Sequence, residues 1–461
     1  MKHLPKGGLL HAHLAGAIPI DTIIKNKRKM YVTMADNKIG RPLKYSLMSG
    51  REWNSLKIQH KKAQHKKRDP LFRYYKPLSS LSREEMSVFK ESILFRACGP
   101  SQESTLVLPD YRPNPYALPK EFSNKFKLLE GLTRDTELYK LFFTEFLNEI
   151  WADNIEYMEL MVNPFEKVRS EPNSINYFFG NKINTVKQLL SCQNNGPEFK
   201  FNAAVSILKQ YIDVVQLFNE KLTKQKISAE FLPSYLDVRF LIGLNRTAME
   251  REENLEIAFR VANYFITEEQ NPWYKNKVLG INVVGNEFGP IGRPVDYLKW
   301  MLRIKEKYPA VHVSVHAGES AVADGHVLDS ILLGAERIGH GLSLQHCKRA
   351  MQILKERELC IEACILSNKL LGYVPSVEKH PAKQWLEDKS LKVCLNTDDP
   401  GIFDTCMTDE FYYTTLSFDL SFESIKRLVT NSITSSFLPD AEKARRVSVF
   451  NDRFNKFCTD Y

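Results

Sequence analysis

Short runs of apolar, often β-branched residues recur along the chain at 8–14, 155–162, 236–243, 278–285, 311–316, 337–340, 360–366 and 391–397. Their length and composition predict strands. Between most of them lie segments whose apolar positions return every three or four residues, at 250–267, 295–307 and 346–358, the spacing of amphipathic helices. Strand and helix therefore alternate, as they do in a parallel sheet covered by helices. Eight strands favour a closed (β/α)₈ barrel. An open doubly wound sheet is the structural rival, but polar groups stand at the carboxyl ends of nearly every run, where a barrel carries its chemistry. Residues 1–461 read as one α/β domain, a (β/α)₈ TIM barrel.

Two connections exceed what a barrel needs. Residues 19–150 separate the first two strands, which predicts a long, largely helical insertion at about 25–148. It contains a basic run at 57–68 (KIQHKKAQHKKR) and a Pro-rich piece at 109–119 that suits an extended loop. The basic run reads either as a solvated helix face or as a contact for phosphate or polyanion. The second connection, 163–234, carries a helical pattern at 202–222.

Composition narrows the function classes only modestly. Hydrophobic residues make up 43% of the 461, ample for a core, and the net charge of +9 tolerates an anionic ligand. A balance of 64 basic against 55 acidic residues is far from a nucleic-acid-coating tail. Eight cysteines occur without any C-x-x-C pair, and three lie in or beside strand-like runs, so they read as buried thiols in a reducing compartment. No run approaches the roughly 18 to 20 apolar residues of a membrane span. His11 lies too near Met1 to leave room for a cleavable signal. The expected location is cytoplasmic, with signal-less export left open.

The polar strand ends carry candidate chemistry. Side chains alternate faces along a strand, so His11 and His13 in LLHAH point the same way and can share one metal. Packing explains such a pair equally well when it stands alone. With His316 in VHVSVHAGE and Asp398 in VCLNTDDP, the set becomes three imidazoles and a carboxylate, which suits Zn²⁺ ahead of Fe²⁺, Co²⁺ or Mn²⁺. A metal so held generates hydroxide near neutral pH and needs a proton handler beside it. Glu319, three residues after His316, can reach the same cavity, and His340 and Asp399 add a second base and a second carboxylate. Read singly, Glu319 is a helix-N-terminal carboxylate and His340 a core histidine. Their coincidence at strand ends favours a catalytic site.

In this order, H-x-H, H-A-G-E, R-I-G-H-G and N-T-D-D-P resemble the adenosine deaminase superfamily. Residues 1–13, 337–344, Leu366-Ser367-Asn368 and His380-Pro381 are similar to its growth factor branch. The resemblance runs from the first to the last expected strand and leaves the insertion poorly covered. It implies a metal-dependent hydrolase barrel that deaminates C6 of an adenine ring hydrolytically, with one zinc on His11, His13, His316 and Asp398. It further implies that Glu319 protonates N1, that His340 orients and helps deprotonate the attacking water, and that Asp399 holds N7. The backbone N–H of Gly285 then approaches N3, although a glycine there is equally well explained as an ordinary turn. The secretion signal and the amino-terminal dimerisation segment common in that branch are not expected here. The other zinc deaminase pattern, H-x-E with P-C-x-x-C, is absent.

One departure concerns the sugar. Many relatives carry an aspartate two residues after the second histidine, or a carboxylate directly after it, to bind the 5′-hydroxyl; here those positions are Ala15 and Leu14. Removing that carboxylate relieves repulsion against a 5′-phosphate. Asn286 or Glu287 is then a candidate sugar contact. The leading expectation is deamination of adenosine or deoxyadenosine. AMP or another 5′- or N6-substituted adenosine is the alternative, and a non-catalytic binding or signalling protein on the same barrel is the third reading. The expected partner is a small purine nucleoside or nucleotide, not nucleic acid or membrane, and the sequence leaves the oligomeric state open.

Overall fold

The computed structural model describes residues 1–26, 28, 30–34, 45–49, 75–94, 122–123, 125–126, 129, 136–165, 196–224, 232–246, 252–287, 292–320 and 325–460. The strands in chain order are β1 (Gly8–His13), β2 (Met30–Met34), β3 (Tyr45–Ser49), β4 (Tyr75–Pro77), β5 (Tyr157–Val162), β6 (Asp237–Asn245), β7 (Val278–Val284), β8 (His312–Ala317), β9 (Arg337–His340), β10 (Cys360–Ala363) and β11 (Lys392–Leu395). β1 and β5 to β11 pair side by side in that order, and every pair is parallel. The eight runs of the sequence are these eight strands, and the fold is a (β/α)₈ barrel.

The ring closes between its last strand and its first. Ala12 and Asp398 form a parallel bridge, in which His13 N–H donates to the Asp398 carbonyl (2.9 Å) and Asp398 N–H to the His11 carbonyl (3.1 Å). Asn396 reinforces the seam with its side chain. Its Oδ1 accepts both Leu10 N–H (2.8 Å) and His11 N–H (3.0 Å), so a buried amide satisfies backbone donors that a longer ladder would otherwise pair.

Alternation along each strand sorts the residues. Val313, Val315, Ile338, Ile361, Val393 and Leu395 are fully buried in the large cluster with the surrounding helices. The alternate positions Ser314, Arg337, Glu362 and Asn396 turn to the barrel axis and are equally buried. The helix Pro197–Lys224 shows why the sequence builds this shell: Phe201, Ala204, Leu208, Tyr211, Val215, Phe218 and Leu222 recur every three or four residues and are all buried. Burying each large apolar side chain contributes roughly 1.5–3 kcal/mol.

Three expectations need adjustment. In the insertion, the described residues include an antiparallel sheet of β2 between β3 and β4, alongside the helix Arg83–Ile93. The insertion thus carries a small sheet beside its helical segments, which the sequence pattern did not indicate. The run 360–366 is not one strand, because it stops at Ala363 and the helix Ile365–Leu370 begins at once. Of the cysteines, Cys360, Cys364 and Cys394 are buried free thiols, whereas Cys347 and Cys406 are half-buried and Cys458 is exposed. The basic run 57–68 and the Pro-rich piece 109–119 lie outside the described residues. Among the described residues no helix is long and apolar enough to cross a membrane.

Candidate active site

His11 and His13 end β1, His316 lies near the end of β8, His340 ends β9, and Asp398 follows β11. Parallel pairing puts all these ends on one face of the barrel. His13 Nε2 lies 3.0 Å from His316 Nε2, and Asp398 Oδ1 lies 3.2 Å from His13 Nε2 and 3.5 Å from His11 Nε2. One ligand-type atom from each of His11, His316, His340 and Asp398 falls within 4.8 Å of the others. Room for the His11 ring comes from Gly339, where a Cβ would approach His11 Cε1 to 2.8 Å. His340 and Asp398 both adopt positive φ, 65° and 61°. Such conformations cost about 1–3 kcal/mol and persist where the surroundings enforce them.

Each inward imidazole is held from behind. His11 Nδ1–H donates to Glu362 Oε2 (2.7 Å), and His316 Nδ1 lies 2.7 Å from Asn282 Oδ1. Ser367 Oγ–H donates to Asp398 Oδ2 (2.6 Å). Glu362 also accepts from Arg337 Nε (2.5 Å) and Ser314 Oγ (3.0 Å). Arg337 reaches across the axis to Glu159 (2.5 Å), which Tyr157 OH and Phe437 N–H bind as well (2.6 Å each). A buried Glu–Arg–Glu ladder thus stands beneath the histidines. The sequence reading missed Glu362, Glu159, Asn282 and the role of Arg337; their only signal was a polar residue inside an apolar run, as in CIEA and RIGH.

The residues present fit a metal ion. Burial would drive His11 toward neutrality, yet Asp398 and Glu362 hold its pKa up at about 10. Burial likewise opposes ionisation of Asp398, but the imidazoles of His11 and His13 beside it hold it well below the usual carboxylate range. His316 is pushed well below its ordinary value by burial and by the neighbouring histidines. These carboxylates call for positive charge, and His11 Nε2 is buried with no hydrogen-bond partner among the described residues. Nitrogen donors plus one carboxylate oxygen are the donor set of a first-row divalent metal.

Around this cluster stand the remaining candidates. Glu319 Oε1 is 4.0 Å from His340 Nε2, and its side chain keeps 15% exposure. Burial, then the carboxylates of Asp398 and Glu287, push its pKa up to about 8. His340 is buried, which draws its pKa down to about 4. Burial and Asp398 raise Asp399 well above the carboxylate range, and its Oδ1 is buried without a hydrogen-bond partner among the described residues. Asp399 lies against Gly16, where a Cβ would overlap Oδ1 at 1.8 Å. Gly285 follows β7 with φ 98°, and Asn286 beside it is exposed.

Glu287 departs from the sugar-contact expectation. Its Oε2 accepts Gly318 N–H (3.0 Å) and pairs with His326 Nδ1 (2.7 Å), and its Oε1 accepts Glu319 N–H (3.2 Å). Arg246, also buried, donates to the His316 and Gly285 carbonyls. Both carboxylate oxygens are therefore spent on the backbone of the His316 to Glu319 turn. Neither the proline-free spacing nor the composition of VGNE revealed this, because the partners lie on another strand's loop.

Fold and site together define a (β/α)₈-barrel protein with a buried histidine and carboxylate centre able to hold a metal. The adenosine deaminase family model matches residues 115–452, and the chain belongs to the adenosine deaminase family. The chain is 34% identical to the adenosine deaminase of Vibrio parahaemolyticus over 180 residues, 39% of this chain and 52% of that protein. It is 25% identical to that of Clostridium kluyveri over 319 residues, 69% of this chain and 75% of that protein. The match to the Vibrio protein thus spans about half of its length. Among solved structures, Arabidopsis ADAL complexed with IMP superposes with TM-score 0.60 at 17% identity, covering 99% of this chain and 98% of that one. The Arabidopsis N6-mAMP deaminase MAPDA gives the same TM-score and identity over 98% of both. At this identity the structural likeness carries the fold alone.

Proposed function

We propose that the protein deaminates C6 of adenosine or deoxyadenosine hydrolytically, yielding inosine or deoxyinosine and ammonia, with one zinc ion held by His11, His13, His316 and Asp398. The observation that carries this reading is the convergence of groups at the strand ends: His340 lies among those ligands, Glu319 lies 4.0 Å from His340, and Asp399 is buried directly after Asp398. When bound, zinc supplies hydroxide at neutral pH by lowering the pKa of a coordinated water from 15.7 to about 7. Everything else falls to the protein. Glu319, protonated at neutral pH, donates to N1 and makes C6 electrophilic. Asp399, whose carboxyl burial and Asp398 push toward its protonated form, offers its buried Oδ1 side to N7 as a donor. The backbone N–H of Gly285 approaches N3, and His340 orients the attacking oxygen. Glu287 and Arg246 brace the turn that carries Glu319.

Mass spectrometry of adenosine, deoxyadenosine, AMP, ATP and N6-methyl-AMP after incubation with zinc-loaded protein tests the reading directly. Conversion of adenosine or deoxyadenosine to its inosine counterpart supports it, and a mixture left wholly unchanged overturns it. Chelation is expected to abolish turnover and added zinc to restore it; activity that survives complete metal removal contradicts the metal assignment.

The pH dependence follows from Glu319. The acid acts in its protonated form, and its pKa is raised to about 8. Activity is therefore present below that value and lost as pH rises through it, and a nearby cation lowers the midpoint further. kcat/KM is expected to fall with a one-proton slope at or below about pH 8. A profile flat to about pH 9 would remove Glu319 as the acid.

AMP or an N6-substituted AMP is the second reading, supported by Ala15. That residue is exposed in the turn Leu14–Gly16 directly after β1 and offers no carboxylate. The Arabidopsis proteins of the same fold, one complexed with IMP and one an N6-mAMP deaminase, lend support. Ala15→Asp is expected to raise the adenosine-to-AMP ratio of kcat/KM by roughly tenfold, about 1.4 kcal/mol of added discrimination. An unmoved ratio places recognition of the 5′ end elsewhere.

A further inference from the structure

Distance alone makes His340 a member of the metal cluster as good as His316. The protons say otherwise. A neutral imidazole carries one N–H and one lone pair, and the partner at one nitrogen decides what the other presents. His11 Nδ1 faces the Glu362 carboxylate, which only accepts, so in the neutral ring the hydrogen sits on Nδ1 and Nε2 carries the lone pair that a metal would take. His316 Nδ1 faces Asn282 Oδ1, with the same consequence.

His340 is built the opposite way, and the chain of evidence starts at a backbone amide. Ala382 N–H lies 3.0 Å from His380 Nδ1. A backbone N–H can only donate, so His380 Nδ1 is a lone pair and the ring's hydrogen sits on Nε2. His380 Nε2 lies 3.1 Å from Asn368 Oδ1, so that Asn368 atom must be the accepting oxygen. The amide nitrogen is then the atom 3.2 Å from His340 Nδ1, and it can only donate. His340 Nδ1 is left as a lone pair, and its hydrogen lies on Nε2. That nitrogen is buried, has no hydrogen-bond partner among the described residues and lies 4.0 Å from Glu319 Oε1. The amide orientation of Asn368, ordinarily ambiguous, is fixed because the series is anchored at Ala382.

We infer that Asn368 and His380 are positioning residues that relay the direction of the Ala382 amide to His340, holding it as an Nε2–H donor toward the attacking oxygen and excluding it as a metal ligand. This deepens the deaminase reading and rests on it for the identity of the oxygen. A base at Nε2 would need the lone pair there that the relay denies, so His340 orients and stabilises a nucleophile already deprotonated elsewhere. The fold makes the relay rigid. Asn368 sits on the helix Ile365–Leu370, and His380 and Ala382 flank Pro381 at the start of the helix Ala382–Glu387.

The test is the tautomer itself. In protein labelled with ¹⁵N in the histidine rings, metal-free and zinc-loaded, long-range proton–nitrogen spectra identify the protonated nitrogen of His340, with His340→Gln assigning its signals. The expected result is Nε2–H in both forms. Asn368→Asp replaces the donor by a carboxylate and is expected to move the proton to Nδ1. Turnover should then fall about a hundredfold or more, with KM little changed. His340 protonated on Nδ1 in the unmodified protein overturns the inference whether or not the variant folds. A protein that shows Nε2–H but converts no purine supports the relay and overturns the functional reading, whereas a purine deaminase with Nδ1–H does the reverse.

Discussion

Glu319→Gln is expected to lower kcat by about 10³-fold or more while zinc stays bound at one ion per chain. Proton transfer by a positioned acid contributes about 10²–10⁴-fold, and glutamine keeps the size and the hydrogen-bonding reach of glutamate without a proton to give. The turn itself should hold, because Glu287 grips it through the backbone N–H groups of Gly318 and Glu319 and not through the side chain that changes. Metal should hold as well, since Glu319 approaches His340 and is not one of the proposed ligands His11, His13, His316 and Asp398. Steady-state kinetics beside metal analysis separates the effects. A variant that loses zinc would recast Glu319 as structural, and one with unchanged kcat would remove proton donation from the mechanism.

Arg337→Leu should produce the largest loss of stability. Arg337 lies between two fully buried carboxylates, Glu159 and Glu362, at 2.5 Å from each. Burial opposes ionisation of Glu362, and Arg337 and His11 overcome it and hold its pKa at about 2. Taking the guanidinium away strands two charges in the barrel axis, a change that typically costs about 3–5 kcal/mol. Leucine restores apolar volume and none of the five N–H donors. Urea denaturation measures the loss, and zinc affinity should fall with it, because Glu362 also orients His11. A shift below about 1 kcal/mol would mean that the carboxylates accept protons and tolerate the cavity.

The strands were legible because a barrel strand, buried on both faces, is a short apolar run. Where the reading ran long, the cause lay outside the segment. Cys360 to Leu366 is uniformly strand-like, yet Glu410, far along the chain, accepts the N–H of Leu366 and stabilises the start of a helix there. The histidines and aspartates were legible for a related reason, since each stands at the end of a strand whose direction was already known. Glu287 was not, because VGNE does not say whether a carboxylate turns to the cavity or to the backbone behind it. Glu362, Asn368 and His380 act through partners on other elements, and no local pattern encodes which nitrogen of an imidazole will meet a donor.

The seam at Ala12 and Asp398 also governs when the molecule becomes competent. His11 and His13 stand on the first barrel strand and Asp398 follows the last, and Asn396 bonds to residues 386 and 385 positions away. Contacts between such distant segments form slowly, after the cost of closing a long loop has been met. A growing polypeptide that still lacks its eighth barrel strand has neither a closed ring nor the carboxylate of the metal cluster. Closure of the ring and completion of the candidate metal site are therefore one event.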